Sequence, residues 1–516
     1  MTLSQVPPVT TARRVSLNAV SNVVVVVVDM VTAFLLLSFI LSRMSLSEYG
    51  IWELTGSIFA YAPLLQVGIN SAVNFHVPRL MITADQESIN RVVSTGAVFY
   101  IFGAGVVVIA TALLVIFFPV WFNIEPHHAG ISRILVVMVG AYFTCALPLA
   151  ISQGVLSGLQ LYVQMNAVRV VTHLARAGLI VLLLSLGCGL LGLGIAHVTT
   201  RLIEAGAMPV LLRRALPQLK LRLAYASFST FKMMLGYSVN TFLWGAGISI
   251  INRVGLIVIG ILLTTRDATL FAVPLMLVWA FSAIAESLSA VSKPAASALY
   301  AENRLDRVRE LSLRGSRLTV MVLWPVGVLM VAFGGPFLDI WVGLDFRPVV
   351  GILMLLVVAQ FLFDGQRVAS LVLIGMGRHR LFGVFTLGAA IVDVVVSVVL
   401  VTRYDLGLWG VAIGQVVALV AVSVGFVPVY VSRVLEMPIT RHLFASLGRP
   451  VLASLPFLVL VAAVRYNYYP GSLMTLCAAC AACCPVLLVC YWFWGATRQD
   501  RTAVLGLVRR RRRAGT

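Results

Sequence analysis

Charge is scarce in this chain. Only 11% of the 516 residues are Asp, Glu, Lys or Arg, against about 25% in an average soluble protein. That scarcity excludes intrinsic disorder, which needs polar, charge-rich sequence. Acids are the rarer sign, 19 against 38 bases, for a net charge of +19. Cysteine is scarce too: seven, an odd number, mostly within apolar stretches, which excludes a disulfide framework. No Walker motif is present, so ATP hydrolysis is not expected. Long polar insertions are also missing, which leaves no room for a soluble domain. What fills the chain instead is apolar sequence, 60% of residues, with a mean hydropathy of +1.01. A soluble globule of this length would be unable to hide so much apolar surface, and the class that remains is an all-α polytopic membrane protein.

A membrane-crossing helix needs about 20 mostly apolar residues, and about 14 such runs follow one another. Their limits are 16–41, 50–69, 93–118, 132–154, 171–190, 192–212, 236–263, 269–290, 316–340, 349–374, 381–402, 407–431, 449–466 and 472–495. With both termini placed inside, the inner segments hold about 28 Lys and Arg and the outer ones about 6, a strong positive-inside bias. The expected setting is the bacterial cytoplasmic (inner) membrane, with both termini cytoplasmic. The net charge therefore reads as an orientation signal, and nucleic acid is not an expected partner. The Arg509–Arg513 run reads as an anchor to anionic lipid.

A weak internal duplication is visible. Ser71-Ala72-Val73 leads into Ala84-Asp85-Gln86-Glu87-Ser88-Ile89-Asn90-Arg91-Val92, and Ser289-Ala290-Val291 leads into Ala301-Glu302-Asn303-Arg304-Leu305-Asp306-Arg307-Val308. The offset corresponds to six spans, which predicts two halves of parallel topology. The expected organisation is an N-terminal cytoplasmic segment 1–15, an N-lobe 16–212 and a cytoplasmic loop 213–235. A C-lobe 236–431, a further span pair within 432–495 and a basic tail 496–516 complete it.

Three motif matches read as membrane structure. Gly187-Cys188-Gly189-Leu190-Leu191-Gly192 has the spacing of a dinucleotide fingerprint but lies between two apolar runs, with no strand before it. A tight interhelical turn is expected there. Cys477, Cys480, Cys483 and Cys484 lack the spacing of an iron–sulfur site and sit among alanines, as close helix packing requires. No metal site is expected. Arg13-Arg14 precedes a run too long for a signal peptide, so it opens a retained first span.

The chain resembles the multidrug/oligosaccharidyl-lipid/polysaccharide exporter superfamily, and within it the bacterial polysaccharide (O-antigen or exopolysaccharide) flippases. The resemblance is carried by Leu41-Ser42-Arg43 through Glu48-Tyr49-Gly50, by Leu299-Tyr300-Ala301-Glu302-Asn303 through Arg314 and Arg317, and by Gly335-Pro336-Phe337-Leu338-Asp339-Ile340-Trp341-Val342-Gly343. Ile374-Gly375-Met376-Gly377-Arg378 and Gly407-Leu408-Trp409-Gly410-Val411-Ala412 complete it. It implies two six-helix lobes around a central cavity that opens alternately to each side, plus two C-terminal helices whose groove takes a lipid tail. It also implies a lipid-linked glycan as cargo, carried on an isoprenoid pyrophosphate.

Ionisable residues inside spans are costly unless paired or wet, so they mark candidate sites. Arg253 is the leading anion ligand, since its own helix offers no acid nearby. Spans one and seven occupy matching places in the repeats, and family members line the cavity with them, so Arg253 is expected to share a space with Asp29. A guanidinium grips phosphate oxygens with a planar fork; a structural Arg253–Asp29 bridge is the plainer alternative. Arg201 and Arg367 are further candidates for binding the substrate; Glu204 and Asp364 stand three residues from them, and mutual neutralisation is the plainer reading of both pairs. Asn240, Asn252, Trp244 and Trp279 are candidates for contacting sugar. Asp29, Glu286, Asp364 and Asp393 are candidates for coupling H+ or Na+; no other cofactor is expected.

The function expected is non-enzymatic: flipping a lipid-linked oligosaccharide to the outer leaflet, as a monomer in the membrane lipid. Glycan polymerases and glycosyltransferases are its natural neighbours. The rivals are a cation-coupled multidrug exporter, which the extra two spans fit poorly, and a peptidoglycan-precursor flippase, which would carry cations in its first two spans. A non-transporting subunit of an export complex is another. A membrane-embedded polymerase or ligase would need a large outer loop.

Overall fold

The computed structural model describes residues 12–83, 85–236 and 239–495, with Thr497 and Arg501. The side chains of Arg13 and Arg14, and the basic tail beyond Arg501, lie outside the described residues. Every regular element among the described residues is helical. Eleven segments are long and apolar enough to cross a membrane, and a pair bent by 46° makes twelve. The chain is a multi-pass membrane protein. It forms two compact units, Met1–Ala272 and Val273–Thr516. The seventh apolar run thus falls in the first unit, and the division runs through the eighth.

The first unit contains α1 (Ala12–Leu41), α2 (Leu46–Phe59), α3 (Val67–Ile82), α4 (Gln86–Trp121), α5 (Pro126–Gly158), α6 (Tyr162–Ser185), α7 (Gly189–Ala215), α8 (Phe228–Gly236), α9 (Val239–Leu262) and the start of α10 (Thr265–Ser289). Two apolar runs fall outside the span count. The run 50–69 is not one helix: α2 ends at Phe59, a 3-10 turn covers Ala62–Gln66, and α3 follows. Pro63 in that turn cannot donate to a helical carbonyl and disfavours helix at the residue before it. The run 192–212 is one helix, α7, but it carries Arg201 and Glu204 in mid-length and Arg213 and Arg214 in its last turn.

Local chemistry sets the helix ends. Ser45 and Glu48 form a capping box at the start of α2: the Glu48 amide donates to Ser45 Oγ at 3.2 Å, and the Ser45 amide to Glu48 Oε2 at 2.8 Å. Asp85 caps α4 by accepting from the Ser88 amide at 2.9 Å. Hydrogen bonds from Ser88 hold the Asp85 carboxyl below the usual carboxylate range. Gly187 and Gly189 have φ of +78° and +50°, and the Cys188 amide donates back to Leu183 O. The fingerprint-like sequence is therefore the turn joining α6 to α7, with glycine where the backbone is left-handed.

The second unit continues α10 and adds α11 (Ser292–Ala301), α12 (Leu305–Trp341), α13 (Val350–Gly365), α14 (Arg367–Gly375), α15 (Arg380–Tyr404), α16 (Gly407–Val420), α17 (Val427–Val434), α18 (Ile439–Leu443), α19 (Arg449–Ala453), α20 (Leu455–Asn467) and α21 (Leu473–Cys490). The duplicated motif has a structural counterpart: α3 precedes a 36-residue helix, and α11 precedes one of 37. The bend in span thirteen falls at Ser454, just before Pro456. Cys483 is fully buried against Phe457 and Val461 of α20, and Phe333 of α12 belongs to the same core. Cys480 packs partly against this core, while Cys477 and Cys484 are exposed, so packing accounts for two of the four cysteines.

Candidate functional site

Arg169, Thr172, His173 and Arg176 recur on α6 at spacings of three and four, which places them on one helix face. That face, with Val25 of α1, Tyr142 and Gln153 of α5, and Thr200, Arg201 and Glu204 of α7, lines a polar cavity of about 300 Å³ in the first unit. Around it the charges are ordered in two groups. Asp29 of α1 lies 2.8 Å from His173 Nδ1 and 3.3 Å from Arg176 Nη2. His173 Nδ1 is also 2.9 Å from Arg176 Nη2, so it serves the carboxylate or the guanidinium according to whether it carries a proton. On the other side, Arg201 Nη1 donates to Glu204 Oε2 at 2.5 Å. Its guanidinium carbon sits 4.0 Å from the Tyr142 ring centroid, and its Nη2 bonds the Tyr142 hydroxyl. Thr172 donates to Glu204 Oε1 at 3.2 Å.

Arg169 is the odd charge. Asp29 answers Arg176 and Glu204 answers Arg201, but among the described residues Arg169 makes no ion pair. Three arginines against two carboxylates leave one arginine charge unmatched beside the cavity. Arg201 adds a buried Nε–H with no partner. A cation and a spare donor beside such a space suit an anionic group with several acceptor oxygens.

The expected Arg253–Asp29 association does not form. Asp29 turns to α6, while Arg253 on α9 has Glu53 of α2 and Tyr61 as its titratable neighbours. The reason is the packing of α9 against α2 and α3, whereas α1 packs against α6. Arg253 is not among the residues lining the cavity. Asn252 and Trp244 are partly buried on α9, and the Asn240 side chain lies outside the described residues.

Both pairs spaced by three residues are observed, the second across the break between α13 and α14. Besides Arg201–Glu204, Arg367 meets the fully buried Asp364 at 2.7 Å. Gln360 Nε2 donates to that carboxylate at 2.9 Å, and Arg367 Nη2 donates to Ser282 at 2.8 Å. These charges are neutralised within the second unit. Asp393 on α15 is 1% exposed and accepts from Ser397 at 3.2 Å, while its Oδ2 has no hydrogen-bond partner. Glu286 is exposed and Trp279 partly buried, both on the second-unit part of α10.

Arg169 was missed because the fifth apolar run starts at 171 by hydropathy, whereas α6 starts at Tyr162; His173 lies inside the run and was passed over as a single polar residue. The polar stripe along 169–176 was the available signal.

Residues 40–351 match the family model described as polysaccharide biosynthesis protein. The chain belongs to that family. It is similar to the uncharacterized membrane protein EpsK of Bacillus subtilis (strain 168), 22% identical over 307 residues. That match covers 57% of this chain and 58% of the relative's own length. Among solved structures, the lipid II flippase MurJ in an inward closed conformation has a TM-score of 0.71 at 12% identity, covering 92% of this chain and 97% of MurJ. An inward-facing MATE family multidrug resistance transporter of the MOP superfamily has a TM-score of 0.61 at 14% identity, covering 79% and 93%. The likeness shows a MOP-type fold for this member of the polysaccharide biosynthesis family.

Proposed function

We propose that the protein flips an isoprenoid-pyrophosphate-linked oligosaccharide from the inner to the outer leaflet of the bacterial cytoplasmic membrane, by alternating access. The single observation carrying this reading is the polar cavity with its unmatched Arg169. A saccharide diphosphate offers both hydroxyls for Tyr142, Gln153 and Thr200 and phosphate oxygens for Arg169. The membrane potential, negative inside, favours outward movement of such an anion by about 2.3 kcal/mol per charge per 100 mV.

The tail requires a different environment, and the second unit supplies one. An apolar groove of about 680 Å³ is lined by Trp324 and Val328 of α12, Phe361 of α13 and Val461 of α20, with Arg465 also on its wall. The groove thus draws on spans nine, ten and thirteen, and none of its lining residues comes from α21. A hydrocarbon tail gains from leaving water there roughly as any apolar surface does.

Depleting the protein in its host tests the reading: lipid-linked glycan should accumulate, accessible only from the cytoplasmic side. Unchanged leaflet distribution and polymer output would remove it. The orientation has its own check in a background without native cysteines. Gly130→Cys, at an open position after α4, should react with an impermeant outside reagent, and the exposed Ser229→Cys should not. The reverse pattern would invert the topology.

A further inference from the structure

Outside the cavity, one cluster of donors has no role in the proposed translocation. The turn after α4 runs through Asn123, which has φ of +47°, and α5 then starts on Pro126. Glu125 occupies the N-cap position, where short side chains normally accept from the first free amides. Its carboxylate makes no such bond. Oε2 lies instead 3.4 Å from His127 Nε2. The His128 ring sits against the His127 ring, centroids 3.8 Å apart. One donor atom from each of the three residues falls within 4.8 Å of the other two.

We infer that Glu125, His127 and His128 bind a divalent transition-metal ion of the Zn2+ class. Zinc binds imidazole nitrogen at about 2.0–2.1 Å and carboxylate oxygen at about 2.0–2.2 Å, so tetrahedral ligands stand about 3.4 Å apart. The Glu125–His127 separation already equals that edge. All three side chains are exposed or half-buried, so rotation alone brings His128 into reach. Two imidazoles and one carboxylate select zinc, cobalt or nickel over calcium and magnesium, which favour all-oxygen shells. Three protein ligands leave a fourth position for water. The start of α5 carries the positive end of the helix dipole, which opposes a cation. Glu125 is therefore needed for its charge as well as for its oxygen.

The plainer account is an exposed Glu125–His127 pair, worth about 0–1 kcal/mol and indifferent to metal. A metal would do more, because this turn is docked. Asn123 Nδ2 donates to the Ile261 carbonyl at 3.0 Å, and Phe122 fills the space over Gly260. An ion on the triad would stiffen the segment that holds the end of α9.

Equilibrium dialysis of the untagged full-length protein in detergent against Zn2+ tests this. The expected result is one zinc per chain more than in E125Q/H127A/H128A. His127→Ala or His128→Ala alone should weaken binding by roughly tenfold or more, the scale seen even for outer-shell losses. The seven cysteines are unchanged in these variants, so the difference isolates the triad. Equal zinc uptake by the wild type and the triple variant overturns the inference. So does uptake that falls only when the cysteines are removed. Because the three side chains lie at the surface, unfolding by substitution is readily checked from the thermal transition, which should not move in metal-free buffer.

Discussion

Arg169→Ala is expected to cut translocation of the lipid-linked glycan by about ten- to a hundredfold while leaving protein abundance near normal. The flux estimate follows from losing a hydrogen bond to a charged group, about 1.5–3 kcal/mol, at 1.4 kcal/mol per factor of ten. The abundance follows from pairing. Arg169 makes no ion pair among the described residues, so its loss strands no carboxylate. Arg169→Lys keeps the charge but loses the planar fork, and should retain part of the flux. Arg176→Ala is the contrast. It takes from Asp29 its arginine partner, leaving only the His173 ring, so stability should fall together with transport. Measuring inner-leaflet precursor and membrane abundance in the three variants checks the pattern. Full transport in Arg169→Ala would show that the unmatched charge does not hold the cargo.

Gly50→Ala should be the most damaging small substitution in the first unit. A Cβ built there lies 1.8 Å from the Thr265 carbonyl oxygen and 2.7 Å from its carbon. The neighbour is backbone, and it is held. Thr264 and Asp267 cap α10 through bonds of 3.2 Å in each direction, and Thr269 donates to the Leu46 carbonyl of α2 at 2.5 Å. The caps keep the start of α10 in place on its own helix, and the two helices cannot move apart without breaking the Thr269–Leu46 bond. Overpacking of this kind costs about 1–3 kcal/mol and more where relaxation is blocked, a large fraction of the total stability of a protein. Gly56 lies on the same helix with nothing within 4 Å of its Cβ. Gly56→Ala should be neutral or slightly stabilising, since alanine favours helix by about 1 kcal/mol. Membrane abundance and the detergent melting temperature of the two variants should therefore diverge. Equal behaviour would contradict the close approach of α2 and α10.

Much of the scaffold was legible in residue pattern alone. Long apolar runs report spans because an unpaired backbone is prohibitive in lipid. The turn at Gly187 and the packing role of Cys483 followed from context, whereas Cys477 and Cys484 are exposed. The pairs Arg201–Glu204 and Asp364–Arg367 followed from a spacing of three residues, the first along one helix and the second across the break between α13 and α14. What spacing cannot fix is which helix stands opposite. Arg253 has no acid on α9, yet Glu53 reaches it from α2; Asp29 has no base within several turns on α1, yet Arg176 and His173 reach it from α6. The expected meeting of spans one and seven came from the repeat, and the packing of α1 on α6 displaced it. Arg169 was hidden for another reason. Hydropathy places a span edge where apolar residues begin, but α6 continues two turns further, into a polar segment. The 3-10 turn at Ala62–Gln66 was marked only by Pro63 inside an otherwise continuous apolar run.

The most direct test of the central claim is headgroup-dependent translocation by the purified protein in sealed liposomes. An isoprenoid diphosphate oligosaccharide in the donor leaflet should become accessible from the other side in the presence of the wild-type chain. In Arg169→Ala liposomes it should do so about ten- to a hundredfold more slowly. The same isoprenoid without its diphosphate should show no difference between the two proteins. Equal rates for wild type and Arg169→Ala on the diphosphate cargo, or no movement with the wild type, would contradict the account.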